Sequence, residues 1–155
     1  MESAPSLQQW FTAFAADAEP RLRAAFVAAL GQHQGMEASA EAMAYAWEHR
    51  ERLAPMDNPV GYLYRVGRSR VRVRPARPRF VPVPPNLLPD VEPGLPAALQ
   101  RLSERQRTVV VMVHAYGWSR SEAAQTLGMS VSTVDSHLQR GLAKLRRVLG
   151  VSSDA

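Results

Sequence analysis

The sequence predicts an all-α protein, organised as two small helical domains that a proline-rich linker joins. Three observations support this fold class. Apolar residues recur at intervals of three and four, the period of an amphipathic helix. Two capping-box pairs, Ser103 with Gln106 and Ser119 with Glu122, mark helix starts in the second half. The segment from Arg74 to Pro96 carries most of the prolines, which exclude a helix there.

The first predicted domain covers residues 1–73 and contains four helices. Turn-forming residues are expected to separate them at Gly31–Gly35 and at Pro55–Asn58. The helices that periodicity predicts are Leu7–Asp17, Pro20–Leu30, Ala38–Glu51 and Pro59–Arg70. Their apolar faces supply the expected core, which consists of Trp10, Phe11, Phe14, Leu22, Phe26 and Leu30.

The predicted linker covers residues 74–95, and the second domain covers residues 96–155. A proline-rich segment is semi-extended at about 3 Å per residue, so this one could hold two domains apart. The second domain is predicted to have four helices. They are Leu95–Leu102, a buried helix from the Ser103 cap to Ala115, a short helix over 120–127, and a long helix that Ser130 opens.

The last two helices have the spacing of a helix-turn-helix. Ala124 is the small residue where the helices cross, Gly128 can adopt a positive φ in the turn, and Val134 is an apolar support on the second helix. The apolar stripe of the second helix turns inward, which leaves a row of polar residues facing outward. This row, which predicts base contacts, consists of Ser132, Asp135, Ser136, Gln139 and Arg140.

Three cations, Lys144, Arg146 and Arg147, follow the polar row and suit phosphate contact. The other interpretation of the row is a solvated helix face without a ligand. Asp135 is an exception within the row, because a carboxylate is repelled by phosphate. It pairs well with a cytosine amino group or with a neighbouring cation such as Arg140 or His137.

Charge and composition favour a polyanionic partner and argue against catalysis. The formal net charge is +5, and seven arginines without an acidic residue lie between Arg65 and Arg79. The chain has no cysteine, no glycine-rich phosphate loop and four histidines without metal-ligand spacing, so we expect neither an enzyme nor a cofactor. No signal peptide or membrane span is evident at the start or along the chain, which favours a cytoplasmic protein without a membrane or small-molecule partner.

The C-terminal sequence from Leu95 to Arg146 resembles region four of the bacterial extracytoplasmic-function sigma factors. It begins with the Leu-Pro pair and continues through the helix-turn-helix to the basic end. The N-terminal half resembles region two of the same family. The matching positions there are Ala46, Trp47, Arg52, Leu53, Asn58, Pro59, Leu63, Tyr64, Arg65 and Val66.

The resemblance implies a dissociable subunit that binds core RNA polymerase, directs it to promoter DNA and is sometimes held by an anti-sigma factor. Region four of the family docks on the minus-35 element. Transferred by position, Asp135, Ser136, Gln139 and Arg140 would read bases and phosphates, with Thr133 and Lys144 in support. Region two binds polymerase and captures a base of the minus-10 element. The loop from Arg50 to Asn58, including Arg52, would form the base pocket, and Tyr62, Arg65 and Arg68 would lie along the strand.

The segment from Gln34 to Glu41 departs from the family, which usually has an acid-rich stretch here. Only Glu37 and Glu41 keep carboxylates, and with Trp47 they are the residues expected to bind polymerase. Two alternatives therefore remain beside the sigma factor. One is a helix-turn-helix regulator that binds operator DNA alone. The other is a sigma-like adaptor that binds polymerase or an anti-sigma factor without opening DNA.

Overall fold

The computed structural model describes residues 3–71 and 94–150, and the fold of both ranges is helical. In chain order the helices are α1 (Leu7–Leu30), α2 (Gln32–Glu48), α3 (Arg50–Leu53), α4 (Pro59–Val71), α5 (Leu95–Gln100), α6 (Glu104–Val110), α7 (Arg120–Leu127) and α8 (Val131–Leu149). Helix α6 continues as a π-helical segment, Val111–Ala115. The predicted all-α class is confirmed, and no strand occurs in the two described ranges. The predicted linker lies outside the described residues except at Gly94 and Leu95.

Helix α1 is one continuous element, so the predicted break before Pro20 is wrong. Ser6 and Gln9 form a capping box at its start, and the helix then passes through Pro20. Pro20 is exposed, as is Ala16, whose carbonyl loses its helical donor. Because that carbonyl is on the solvent side, water can replace the missing hydrogen bond. Burial of Ala18 and Leu22 in the same core holds both halves of the helix together.

The predicted turn at Gly31–Gly35 is a single residue, Gly31, with φ of 86°. Helix α2 begins immediately afterwards, six residues before the predicted start at Ala38, and it ends at Glu48 rather than Glu51. Gly35 lies inside α2 and is needed for close packing, because a Cβ there would be 2.6 Å from the backbone of Val27 in α1. The glycine therefore serves the contact between two helices rather than a turn.

The core of the N-terminal half is centred on Phe26, which is fully buried. Its ring stacks on Tyr64 of α4 with 4.9 Å between centroids and 17° between planes. Leu22 and Leu30 are buried as predicted. Three other predicted core residues, Trp10, Phe11 and Phe14, are only partly buried and pack at the margin of the core, where Phe11 contacts the Trp47 ring of α2.

The C-terminal half follows the predicted boundaries closely. Both capping boxes are present, Ser103 with Gln106 and Ser119 with Glu122, and α7 covers the predicted range. Helix α5 ends at Gln100, two residues before the predicted end at Leu102, which is buried beyond the helix. Within the described parts of the chain, no helix has the length and apolar character that a membrane crossing requires.

Candidate nucleic-acid interface

Helices α7 and α8 form a tight helix-turn-helix. Gly128 ends α7 in the left-handed conformation, with φ of 65° and ψ of 35°. The Ser130 side chain accepts from the backbone N–H of Thr133 and so begins α8. Ala124 and Val134 are buried between the helices, as the motif requires. Each of these contacts is local, which is why the sequence alone was sufficient to predict the motif.

The outward face of α8 carries the residues that the sequence predicts to contact DNA. Its apolar side packs inward through Val134, Leu138 and Leu145, and Gly141 lets the helix approach α6 closely. The opposite side is open to solvent. Among the residues predicted to contact bases or to support those contacts, the exposed ones are Ser132, Thr133, Ser136, Gln139 and Arg140. Arg146 and Arg147, predicted to contact phosphates, are exposed at the end of the helix. Lys144 is partly buried.

Thr133 differs from the other residues of the set. Its hydroxyl lies 2.8 Å from that of Ser130, and both residues line a cleft toward the N-terminal half. The cleft has a volume of about 720 Å³, and its other lining residues include Arg65, Arg68 and Arg105. Partial burial, together with Arg105 and Arg140, lowers the pKa of His137 at the same cleft. Glu104 also lines the cleft, so three arginines surround one carboxylate there.

Asp135 forms an ion pair with Arg120, the first residue of α7. The Arg120 Nε lies 2.6 Å from the Asp135 Oδ1. This partner was missed in the sequence, where Arg140 and His137 were the cations considered. The available signal was that Arg120 opens the first helix of the motif, but only the packing of α7 across α8 brings the two side chains together.

The predicted minus-10 residues divide into two groups. Arg52 and Tyr62 belong to an aromatic cluster, in which the Arg52 guanidinium lies 5.6 Å from the Tyr62 ring centre. The Tyr62 and Tyr45 hydroxyls are 3.1 Å apart, and Arg70 lies over the Tyr45 ring. The hydrogen bond to Tyr62 and desolvation raise the pKa of Tyr45, so its phenol stays neutral. The two tyrosine rings are tilted at 48° to each other, and aromatic rings beside guanidinium groups are typical of a surface that binds single-stranded bases.

The second group, Asn58, Arg65 and Arg68, contacts the C-terminal half. The Asn58 Nδ2 donates to the Gln125 carbonyl at 2.8 Å, and an Arg65 terminal nitrogen donates to the Gly128 carbonyl at 2.7 Å. Arg68 forms an ion pair of 2.5 Å with Glu104. The sequence predicted these residues for DNA, and the structure places them against the helix-turn-helix.

Two further arginines extend this interface. Arg21 donates to the side chains of Gln125 and Thr126. Arg107 is buried and donates to the Ala29 carbonyl at 2.8 Å, and its burial lowers its pKa. Neither was singled out in the sequence, because each contact joins residues more than 70 positions apart and leaves no local pattern.

Asn58 has two separable roles. Besides its bond to Gln125, its Oδ1 accepts from the Gly61 N–H and so caps α4. Asn58→Ala should lower the free energy of unfolding by about 0.5–2 kcal/mol, since the cap is lost. Asn58→Asp keeps the cap but opposes a carboxylate to the Gln125 carbonyl, so it should mainly loosen the contact between the halves. Urea unfolding and small-angle scattering measure the two effects, and equal stability of all three proteins would contradict the assignment.

The three predicted polymerase contacts lie on α2. Trp47 is 46% exposed, with the Arg50 guanidinium 4.1 Å from its ring centre and Phe11 against its edge. Glu41 is exposed and forms an ion pair with Arg70 at 3.3 Å. Glu37 is partly buried. Trp47 and Glu41 therefore offer exposed side chains to a partner.

Comparison with known proteins agrees with this architecture. The family model described as Sigma-70, region 4 matches residues 94–145. Those residues are therefore similar to sigma-70 region 4. RNA polymerase sigma-E factor of Streptomyces antibioticus is 48% identical to this chain over 52 residues, which are 34% of this chain and 29% of that protein. ECF RNA polymerase sigma factor SigG of Mycobacterium tuberculosis is 40% identical over 58 residues, 37% of this chain and 16% of that protein.

This chain therefore spans less than a third of the length of those relatives. Solved structures extend the likeness beyond region 4. CnrH, solved in complex with the cytosolic domain of CnrY, has a TM-score of 0.58 at 26% identity, covering 92% of this chain and 89% of that chain. The sigma factor RpoE of Bartonella quintana, solved with the anti-sigma factor NepR, also has a TM-score of 0.58, at 20% identity, covering 92% of this chain and 98% of that one. The predicted resemblance to extracytoplasmic-function sigma factors is confirmed.

Proposed function

We propose that this chain is an extracytoplasmic-function sigma factor that binds core RNA polymerase and directs it to promoters with a minus-10 and a minus-35 element. The observation that carries the proposal is the helix-turn-helix of α7 and α8, which lies within the region 4 match and exposes a polar face. Likeness in fold to CnrH over most of the chain supports a role for both halves.

In this proposal α8 lies in the major groove of the minus-35 element. Gln139 and Arg140 are long enough to reach base edges, where glutamine suits adenine and arginine suits guanine. Ser132 and Ser136 supply shorter donors and acceptors, and Lys144, Arg146 and Arg147 bind phosphates near the end of the helix.

The N-terminal half binds the minus-10 element as a single strand. Tyr62 and Arg52 stack on or beside bases, a contact that contributes about 1–3 kcal/mol per base. Arg65 and Arg68 follow the strand, and Asn58 lies at its base pocket. Because these three side chains bond to the C-terminal half in the closed arrangement, promoter binding must exchange those bonds for DNA contacts.

Polymerase binds the face of α2 that exposes Trp47 and Glu41, with Glu37 beside them. An aromatic side chain that is nearly half exposed is a common centre of a protein interface. The segment Gln34–Glu41 in the first half of α2 has fewer carboxylates than the family usually has there, so the aromatic contact carries more of the proposed affinity.

The test is run-off transcription by core polymerase of the native host, loaded with the full chain, on templates with randomised upstream sequence. We expect transcripts only when the chain is present, from templates that share a two-part motif. Trp47→Ala should lower transcription and coelution with polymerase together. Tyr116→Ala, which truncates a similarly exposed aromatic side chain outside the proposed contact surfaces, is the matched control.

Two other outcomes would overturn the proposal. Binding to a symmetric operator without polymerase, with no transcript when polymerase is added, would identify a stand-alone regulator. Coelution with polymerase without any transcript would identify an adaptor. The latter remains a candidate because Asn58, Arg65 and Arg68 are already bound within the chain.

A further inference from the structure

We infer that Asp135 acts as a positioning residue, holding Arg120 at the edge of the α8 reading face so that the Arg120 guanidinium binds a DNA phosphate. The inference deepens the proposed function and rests on α8 entering a DNA groove. It assigns a role to Arg120, which the family resemblance did not include. It also gives a reason for a carboxylate on a surface that faces a polyanion.

The two side chains come from the two helices of the motif. Arg120 is the first residue of α7, where the Ser119 cap fixes the backbone, and Asp135 lies one turn into α8. Their closest atoms, Nε and Oδ1, are 2.6 Å apart. The side chains are 58% and 40% exposed, so a ligand can reach the pair from solvent.

Docking geometry places this pair beside the DNA backbone. When the second helix of such a motif enters the major groove, the first helix crosses the phosphate backbone. A cation at the start of the first helix is thus near phosphates rather than base edges. The helix start itself favours anions, because its free N–H groups and dipole present partial positive charge.

The charges of the pair explain how Asp135 is tolerated. An unpaired carboxylate on the reading face would repel phosphate, whereas the bound guanidinium neutralises it. Guanidinium carries five donors, more than one carboxylate oxygen can accept, so Arg120 can bind Asp135 and a phosphate together. An exposed ion pair adds little to folding stability. Its loss should therefore affect the orientation of Arg120 rather than the fold.

A different role for Asp135 would be direct recognition of cytosine through the N4 amino group. The two roles predict different specificities. A positioning residue changes affinity for every DNA sequence by a similar factor, because phosphates are the same in all of them. A cytosine reader changes preference at one base pair.

The test uses the full chain bound to core polymerase and a promoter duplex chosen by selection from a random library, with affinity measured between about 50 and 300 mM salt. Arg120→Ala and Asp135→Ala should each weaken binding several-fold on the selected duplex and on its single-base variants. Each should reduce the slope of log affinity against log salt by about one. The double variant should bind no worse than Arg120→Ala alone.

Asp135→Asn supplies the conservative variant, since its Oδ1 can still accept from Arg120, and it should restore part of the lost affinity. Arg23→Ala is the matched control: Arg23 forms an exposed ion pair with Glu19 on α1, away from the motif. That variant should keep the affinity and the salt slope. Circular dichroism and coelution with polymerase confirm that each variant folds and loads.

Three results would overturn the inference while leaving the proposed function intact. They are tighter binding by Asp135→Ala, a changed preference at one base pair, and unchanged affinity of Arg120→Ala. If the wild-type complex selects no sequence at all, the proposed function fails and the inference fails with it. Selection of a promoter from the random library therefore shows whether the proposed function fails or only the inference about Asp135.

Discussion

Alanine at Gln139 or at Arg140 will weaken binding of the polymerase-bound chain to its upstream element by about 1–3 kcal/mol each if they contact bases. Both side chains are exposed on the outward face of α8. Because neither supports the fold, truncation removes contacts to DNA and leaves the helix intact. Competition binding on the selected promoter and on single-base variants measures the loss.

Arg146→Ala provides the comparison within the same helix. Arg146 is exposed near the end of α8 and is expected to bind phosphate, so its removal should lower affinity equally on all sequences. Gln139→Ala and Arg140→Ala should instead reduce the preference at particular base pairs. If both leave affinity and preference unchanged, the outward face of α8 is not the surface that reads DNA.

Phe26→Ala should lower the free energy of unfolding by about 3–5 kcal/mol, which is the largest stability effect expected from one core truncation here. Phe26 is fully buried and stacks on Tyr64, and its ring fills the space beside Gly67, where a Cβ would be 2.3 Å from Cζ. Truncation leaves a cavity between α1 and α4. Urea denaturation followed by circular dichroism measures the change.

Phe14→Ala is the matched control, because it makes the same substitution on the same helix at a partly buried position. Its stack on Trp10 has 4.9 Å between ring centroids, yet much of that contact is near solvent. The expected loss is clearly smaller than for Phe26. Equal losses from the two substitutions would show that the core is not centred on the Phe26–Tyr64 stack.

Prediction from the sequence was most accurate where the signal lay within a few residues. The Ser119–Glu122 box, Gly128 and Ser130 define α7 and the start of α8, and the structure has those boundaries. Prediction was wrong where the packing of distant helices determines whether a residue lies in a helix or in a turn. Gly35 and Pro20 are typical of turns and breaks, but the contact of α1 with α2 and α4 keeps both residues inside helices.

In the candidate site, too, features set by local sequence were predicted and features set by long-range packing were not. Exposure of Ser136, Gln139 and Arg140 followed from the apolar period of α8, since a helix that buries one stripe must expose the opposite one. The bonds of Asn58 and Arg65 to the helix-turn-helix did not follow, because their partners are more than 60 residues away. They depend on how the two halves pack against each other.

By itself the sequence determined the helical class, the helix-turn-helix, the outward polar face of α8 and the family resemblance, because caps, turns and periodicity act over distances of one to four residues. Only the tertiary structure decided that Arg120 is the partner of Asp135 and that Arg21, Asn58 and Arg68 bind the other half. Such pairs form when the chain brings distant residues within a few ångströms. No local pattern encodes that distance.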